Sequence, residues 1–273
     1  MALRKDEDRR PVEAVARSGS RPARPRPAHD TETPDVETAS EAYAKRFSGP
    51  IGAWFLEVQR AAVMRLLPAS SGRGLRILEV GGGHGQLTAA LLDAGHEVVV
   101  HGSAPACAMR LRPLMAEHPG RLHFVASSLW SLPFPDSTFD AAIGVRLLAH
   151  VERFEALLAE MVRVSRRCVI VDFAPQISSN FFEPLLFRLK RRVEGDTRPF
   201  FCYRTAQLRS PLAAAGFGSF RIEKQFFLPM VVHRRMARRN LSETLERTAG
   251  KVGLTALLGA PALVAAERGP ADG

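Results

Sequence analysis

Short apolar runs alternate with segments of helical period along most of this chain, and that alternation constrains its fold more than any other feature. LRILEV (75–80) leads into GQLTAALLDAG, a helical pattern stopped by Gly95. HEVVVH (96–101) leads into PACAMRLRPLMAEH, with Pro105 near the helix start. RLHFVAS (121–127) comes next, then DAAIGV (140–145) before VERFEALLAEMVRVS, then RCVIVDF (167–173). FRIEKQFF (220–227) and PALVAAE close the series. Strands apolar throughout are covered on both faces. Alternation with helices then predicts a doubly wound, mostly parallel α/β sheet of seven strands. The last two strands lack a clean crossover helix, so the final strand is expected to be antiparallel, at the edge.

The flanks read differently. Residues 1–38 contain SGSRPARPRPAHDTETP and little that can be buried, so a disordered Arg/Pro-rich tail is expected. Residues 1–40 hold eight basic and eight acidic side chains, so the net charge of +10 belongs to the remainder. Residues 39–273 read as a single domain. Within it, 39–68 is helical in two pieces broken at Gly49-Pro50, and 176–204 and 228–258 read as insertions between the regular elements. The chain has no N-terminal apolar h-region. Its longest apolar stretch, 252–266, is too short to span a bilayer and is broken by Gly259 and Pro261. Cys107, Cys168 and Cys202 form neither a zinc pattern nor a disulfide frame, so no metal is expected and a cytoplasmic location is.

The turn after the first strand reads EVGGGHGQ (79–86). A strand-to-helix turn at the carboxyl edge of such a sheet is where nucleotides bind. Glycines let a ligand touch backbone, and the following helix offers unpaired N–H groups. A dinucleotide fingerprint, G-x-G-x-x-G, would need Gly at position 86, which is Gln. The pattern present is Glu79-x-Gly81-x-Gly83-x-Gly85. A carboxylate there suits a cationic ligand and would be poor beside phosphates.

That E-x-G-x-G-x-G resembles motif I of class I S-adenosylmethionine-dependent methyltransferases. SLPFPDSTFDAAIGVRLLAHV (131–151) looks like the matching segment of the methyltransferase type 11 group, which includes the ubiquinone/menaquinone C-methyltransferases; the matching residues are Leu132, Pro133, Phe134, Asp136, Phe139, Asp140 and His150. MVRVSR before CVIVDF, and AAGF before a strand, extend the likeness over roughly 75–225. The resemblance implies a Rossmann-like methyltransferase sheet and S-adenosyl-L-methionine as cofactor. It implies that Glu79, Gly81, Gly83, His84 and Gly85 meet the methionine end. By the same resemblance His101, Gly102 and Ser103 meet the ribose, and Ser128 and Leu129 the adenine. It makes 39–68 a lid over the cofactor, with Tyr43 and Phe47 at the methionine end. The chain departs from the family where acids are usual, with His101 after the second strand and Ser128 before the LPF segment.

Methyl transfer mainly requires positioning and exclusion of water. Arg146 and His150, after the fourth strand, are the candidate catalytic residues, and Arg146 is also a cofactor candidate. VRLL stands where amino-directed nucleic-acid methyltransferases carry an N/D-P-P-Y/F loop, and no Pro-Cys pair occurs, which argues against DNA. Basic residues at 187–204 and 233–239 are interleaved with Phe181, Phe182, Phe187, Phe200, Phe201, Tyr203, Phe226 and Phe227. That mixture suits a small or lipid-like acceptor with an anionic end, or peripheral contact with an anionic membrane surface. RNA is disfavoured because no RNA-binding module accompanies the charge, and no obligate protein partner is implied. Two alternatives stay open: a cofactor-binding protein of this fold without turnover, and an RNA methyltransferase.

Overall fold

A computed structural model describes residues 33–69, 74–178 and 201–269. Three helices lead in: α1 (Pro34–Thr38), α2 (Glu41–Lys45) and α3 (Gly49–Leu66). The alternating body runs β1 (Arg76–Val80), α4 (Gln86–Asp93), β2 (Glu97–Gly102), α5 (Arg112–Glu117), β3 (Leu122–Ala126) and β4 (Phe139–Gly144). It continues through α6 (Phe154–Val164) and β5 (Ser165–Pro175) to β6 (Cys202–Tyr203) and α7 (Thr205–Ala214). The last elements are β7 (Ser219–Phe226), α8 (Met230–Met236), α9 (Arg239–Lys251), α10 (Leu254–Leu258) and β8 (Ala260–Glu267).

The sheet order is β3-β2-β1-β4-β5-β8-β7, with the two-residue β6 pairing β5. β1 to β5 are mutually parallel, and β8 is antiparallel to both β5 and β7. The last strand is therefore antiparallel as expected, but it lies between β5 and β7 rather than at the edge. Its core VAA is fully buried, whereas β7 carries exposed polar side chains suited to an edge.

Alternate residues of β1 enter opposite layers. Leu78 and Val80 pack with Leu157, Leu158 and Met161 of α6 and with Leu208 and Leu212 of α7. Ile77 packs with Ala62, Val63 and Leu66 of α3 and with Leu91 of α4. Both faces of the sheet are thus closed by helices, which is why its strands read as continuous apolar runs.

The LPF segment owes much of its pattern to scaffolding. Arg163 donates to the carbonyls of Leu132 (2.9 Å) and Phe134 (2.7 Å) and to Asp136 (2.9 Å). Glu160 accepts the Leu132 N–H at 2.7 Å. Asp140 accepts the Arg76 N–H at 2.8 Å, fixing the start of β1. Phe134 and Phe139 meet edge to face in the core.

One expectation needs correction. The tail read as disordered through residue 38 is helical over Pro34–Thr38, and Asp35 and Thr38 are buried. Pro34 opens the helix and the Thr38 hydroxyl donates to the Asp35 carbonyl at 2.9 Å. Five residues cannot hold a helix alone in water; docking onto the sheet edge does so. Residues 179–200 lie outside the described residues, and with them most of the 176–204 insertion, the first basic cluster, and Phe181, Phe182, Phe187 and Phe200.

Candidate functional site

The carboxyl ends of β1, β2, β4 and β5 meet beneath α1, α2 and α3. Glu79, the fourth residue of β1, is flanked by Val100 of β2 and Ile143 of β4. Its side chain is buried and folds back under the glycine turn, where a Cβ on Gly82 would overlap it. The Thr88 hydroxyl donates to the Glu79 carboxylate at 2.6 Å. Burial raises the Glu79 pKa to about 7, against the opposing effects of Thr88 and the Arg146 guanidinium. The turn itself is left-handed at Gly81 and at Gly85, the residue that starts α4. The Gly81 N–H is tied to the His101 carbonyl at 2.8 Å, so the turn is fixed to the end of β2.

Arg146, two residues beyond β4, has φ 58°, a left-handed conformation costly for a long side chain. It is held there by Asp172 of β5, whose carboxylate accepts the Arg146 N–H at 2.7 Å and the Gln59 amide of α3 at 3.1 Å. Burial raises the Asp172 pKa to about 6. The Arg146 guanidinium acts electrostatically on Glu79, Asp172 and His84 alike, so it lies among them. It also lies over the Phe47 ring at 5.3 Å. Its Nη1 and both ring nitrogens of His84 are shielded from solvent without a hydrogen-bond partner in the described structure. His84 has its pKa lowered to about 3 by burial and by the guanidiniums of Arg146 and Arg110, so its ring is neutral. Tyr43 and Phe47 of the leading helices meet the His84 ring edge to face, at 6.3 and 6.0 Å.

The structure thus gathers Glu79, Gly81, Gly83, His84, Gly85, Arg146 and Tyr43 at one edge. His101 is fully buried, and burial lowers its pKa to about 4. Its Nε2 pairs with Ser127 at 2.8 Å rather than with Ser128, whose hydroxyl accepts the Trp130 N–H. Leu129 is a core residue. Gly102 ends β2, and Ser103, the first residue of the loop that follows, is bonded to Asp35 of α1. The turn that carries His150 is fixed by the Tyr203 hydroxyl, which donates to the carbonyls of Leu148 and Val151, and by the Phe201 N–H on the Ala149 carbonyl.

Asp35, Gln59 and Asp172 are the residues that sequence reading missed. Asp172 carried a signal, as an acid at the end of the apolar run CVIVDF. Gln59 and Asp35 carried none that spacing could reveal.

Residues 77–167 match the family model described as "Methyltransferase domain". Over that third of the chain the likeness is to a methyltransferase domain. Over 112 residues it is 35% identical to a ubiquinone/menaquinone biosynthesis C-methyltransferase of Methylobacterium nodulans, covering 38% of this chain and 43% of that protein. Over 150 residues it is 29% identical to the O-methyltransferase rstn1 of Aspergillus nomiae, covering 50% of this chain and 65% of that one. These alignments therefore span less than two thirds of either relative. The likeness in fold extends further than the likeness in sequence. Magnesium protoporphyrin IX methyltransferase of Synechocystis, solved with S-adenosylhomocysteine, superposes with TM-score 0.58 at 16% identity, over 85% of this chain and 96% of that one. A Mesorhizobium loti S-adenosylmethionine-dependent methyltransferase gives 0.54 at 18% identity, over 78% of this chain and the whole of that one.

Proposed function

We propose that the chain transfers a methyl group from S-adenosylmethionine to a small-molecule acceptor with an apolar body and an anionic end. One observation carries the reading. A buried acid, Glu79, and two kinds of partnerless nitrogen donor, on Arg146 and His84, converge over a turn made of glycine. Buried polar groups without partners are costly. A ligand bearing both an ammonium and a carboxylate would satisfy both sets, and the methionine end of the cofactor is such a ligand. When bound, the cofactor supplies a methyl group on a positively charged sulfur.

The chain's own residues then have separate tasks. Glu79 would face the ammonium. Arg146 and His84 would hold the carboxylate, with Asp172 and Gln59 positioning the Arg146 loop. Tyr43 and Phe47 would cover that end and keep water out. His101 and Ser127 would line the ribose side, and the Ser128-Leu129 backbone the adenine side.

The acceptor side is read from Phe47, the half-buried ring at the margin of an aromatic core cluster. Trp54, Phe55 and Phe226 are buried behind it, with ring centroids 5.1 to 5.5 Å apart, and enclose His233. Arg234 lies over Phe47 at 6.0 Å and over Phe55 at 5.9 Å. An apolar body against Phe47 would place an anionic end near Arg234 or Arg146, both of which lie over that ring.

The test is release of S-adenosylhomocysteine from purified protein supplied with S-adenosylmethionine and pools of lipophilic anionic compounds. Turnover restricted to such pools supports the proposal. Tight cofactor binding with no release from any pool would favour a binding protein without turnover.

A further inference from the structure

Something already lies on the glycine turn: the chain's own N-terminal helix. A Cβ added to Gly81 would meet the Leu147 side chain at 3.2 Å and the Asp35 Cβ at 3.5 Å, and one added to Gly83 would meet the Cys107 carbonyl at 2.6 Å and the Ala39 Cβ at 2.7 Å. α1 and the residue after it therefore pack on two cradle glycines, alongside Leu147 and the Cys107 carbonyl. Asp35 is fully buried although it lies only two residues into the described chain. Its carboxylate accepts the Ser103 N–H at 2.6 Å and the Ser103 hydroxyl at 2.5 Å, and the Cys107 thiol lies 3.5 Å away. A second tie, Glu41 to Arg110 at 2.5 Å, holds α2 to the same loop. The strap is thus bonded to the loop after β2 and packed on the loop after β1, the two loops that frame the proposed site.

We infer that α1 is an autoinhibitory strap, with Asp35 an intramolecular occupant of the Ser103 loop that must leave before the cofactor can use the glycine cradle. This rests on the cofactor seat proposed above. Two bodies cannot pack on the same glycine faces, so strap docking and cofactor binding compete. The apparent affinity is then the intrinsic affinity reduced by the fraction of molecules with the strap raised. Asp35 is suited to the latch because its oxygens take two donors at once, and charge-assisted bonds of this kind are the strong ones. No part of the competition needs a structural change in the sheet, only release of Ala39 and the five helical residues before it, which have no stability alone.

The test is calorimetry of S-adenosylhomocysteine binding to the full chain, to Asp35→Ala and to Asp35→Asn, with hydrogen exchange of the unmutated protein. Losing the latch should tighten binding on the order of tenfold, more for Ala than for Asn. In the unmutated chain, saturating ligand should speed exchange of the Ala39 and Ser40 amides, which close α1 on the Asp35 and Glu37 carbonyls. That second measurement needs no variant and holds even if Asp35→Ala folds poorly. Weaker or unchanged binding by both variants, or ligand-induced protection of Ala39 and Ser40, would make the strap part of the binding surface and overturn the inference. If no form binds the ligand, the cofactor seat itself is wrong, and the inference falls with it.

Discussion

The Thr88 hydroxyl reaches across the first turn of α4 to the Glu79 carboxylate, 2.6 Å away, inside a site where burial holds that acid near pKa 7. An acid poised there is half charged at neutral pH, and a cationic ligand must find it ionised. Affinity for S-adenosylmethionine should therefore rise as pH increases through about 7, and Glu79→Gln should flatten that profile. Calorimetry between pH 6 and 8.5 checks both. The sign for folding is opposite. Folded Glu79 binds its proton more tightly than the unfolded chain, whose value is 4.5. Its contribution to stability is therefore present below about 4.5 and is lost as pH climbs through 7.

Arg146→Gly relaxes a left-handed residue, which by itself favours folding by roughly 1 kcal/mol. It also deletes the guanidinium that favours the charged forms of Glu79 and Asp172. The pH at which affinity rises should move to a higher value, and affinity at pH 7 should fall about tenfold. An unchanged pH profile would mean that Arg146 does not govern the acid.

His101→Asp restores the acid usual at that place, but here it would put a second carboxylate in the field of Asp35, in a fully buried position. Like charges there cannot both ionise cheaply. We expect the melting temperature to fall, by an amount equivalent to about 2 kcal/mol. The loss should be recovered in His101→Asp combined with Asp35→Asn. Lack of recovery would show that the two sites do not interact.

Glu246 of α9 accepts the N–H groups of Phe227 (2.7 Å) and Leu228 (2.8 Å), and pairs with His233 of α8 at 2.9 Å. It ties both C-terminal helices to the end of β7. Glu246→Ala should cost about 2–4 kcal/mol in denaturant unfolding, because it strands partly buried donors. Glu243→Ala, which loses a more exposed pair with Arg239, should cost far less.

The sheet was readable from sequence because its strands are short apolar runs closed by glycine and proline, and burial on both faces leaves little freedom in their composition. The position of β8 was not readable: nothing in PALVAAE says which neighbour it pairs with, since pairing is decided by contacts distant in sequence. Glu79 and the glycines were legible because a ligand-facing turn restricts residue type. Asp35 was hidden by its surroundings, a charged tail in which one more acid carries no pattern. Leu132, Phe134, Asp136 and Asp140 were legible as a motif, yet the structure gives them to Arg163, Arg76 and the core rather than to the cleft. Among the described residues no helix is long and apolar enough to cross a membrane.

The central claim is that an S-adenosyl compound occupies the glycine turn with its ammonium toward Glu79. Crystals of the protein soaked with S-adenosylhomocysteine test it most directly. The account predicts density over Gly81 and Gly83, the amino group beside Glu79, the carboxylate on Arg146, and α1 displaced. An empty turn in those crystals, with a pyridine dinucleotide filling it in a parallel soak, would contradict the account.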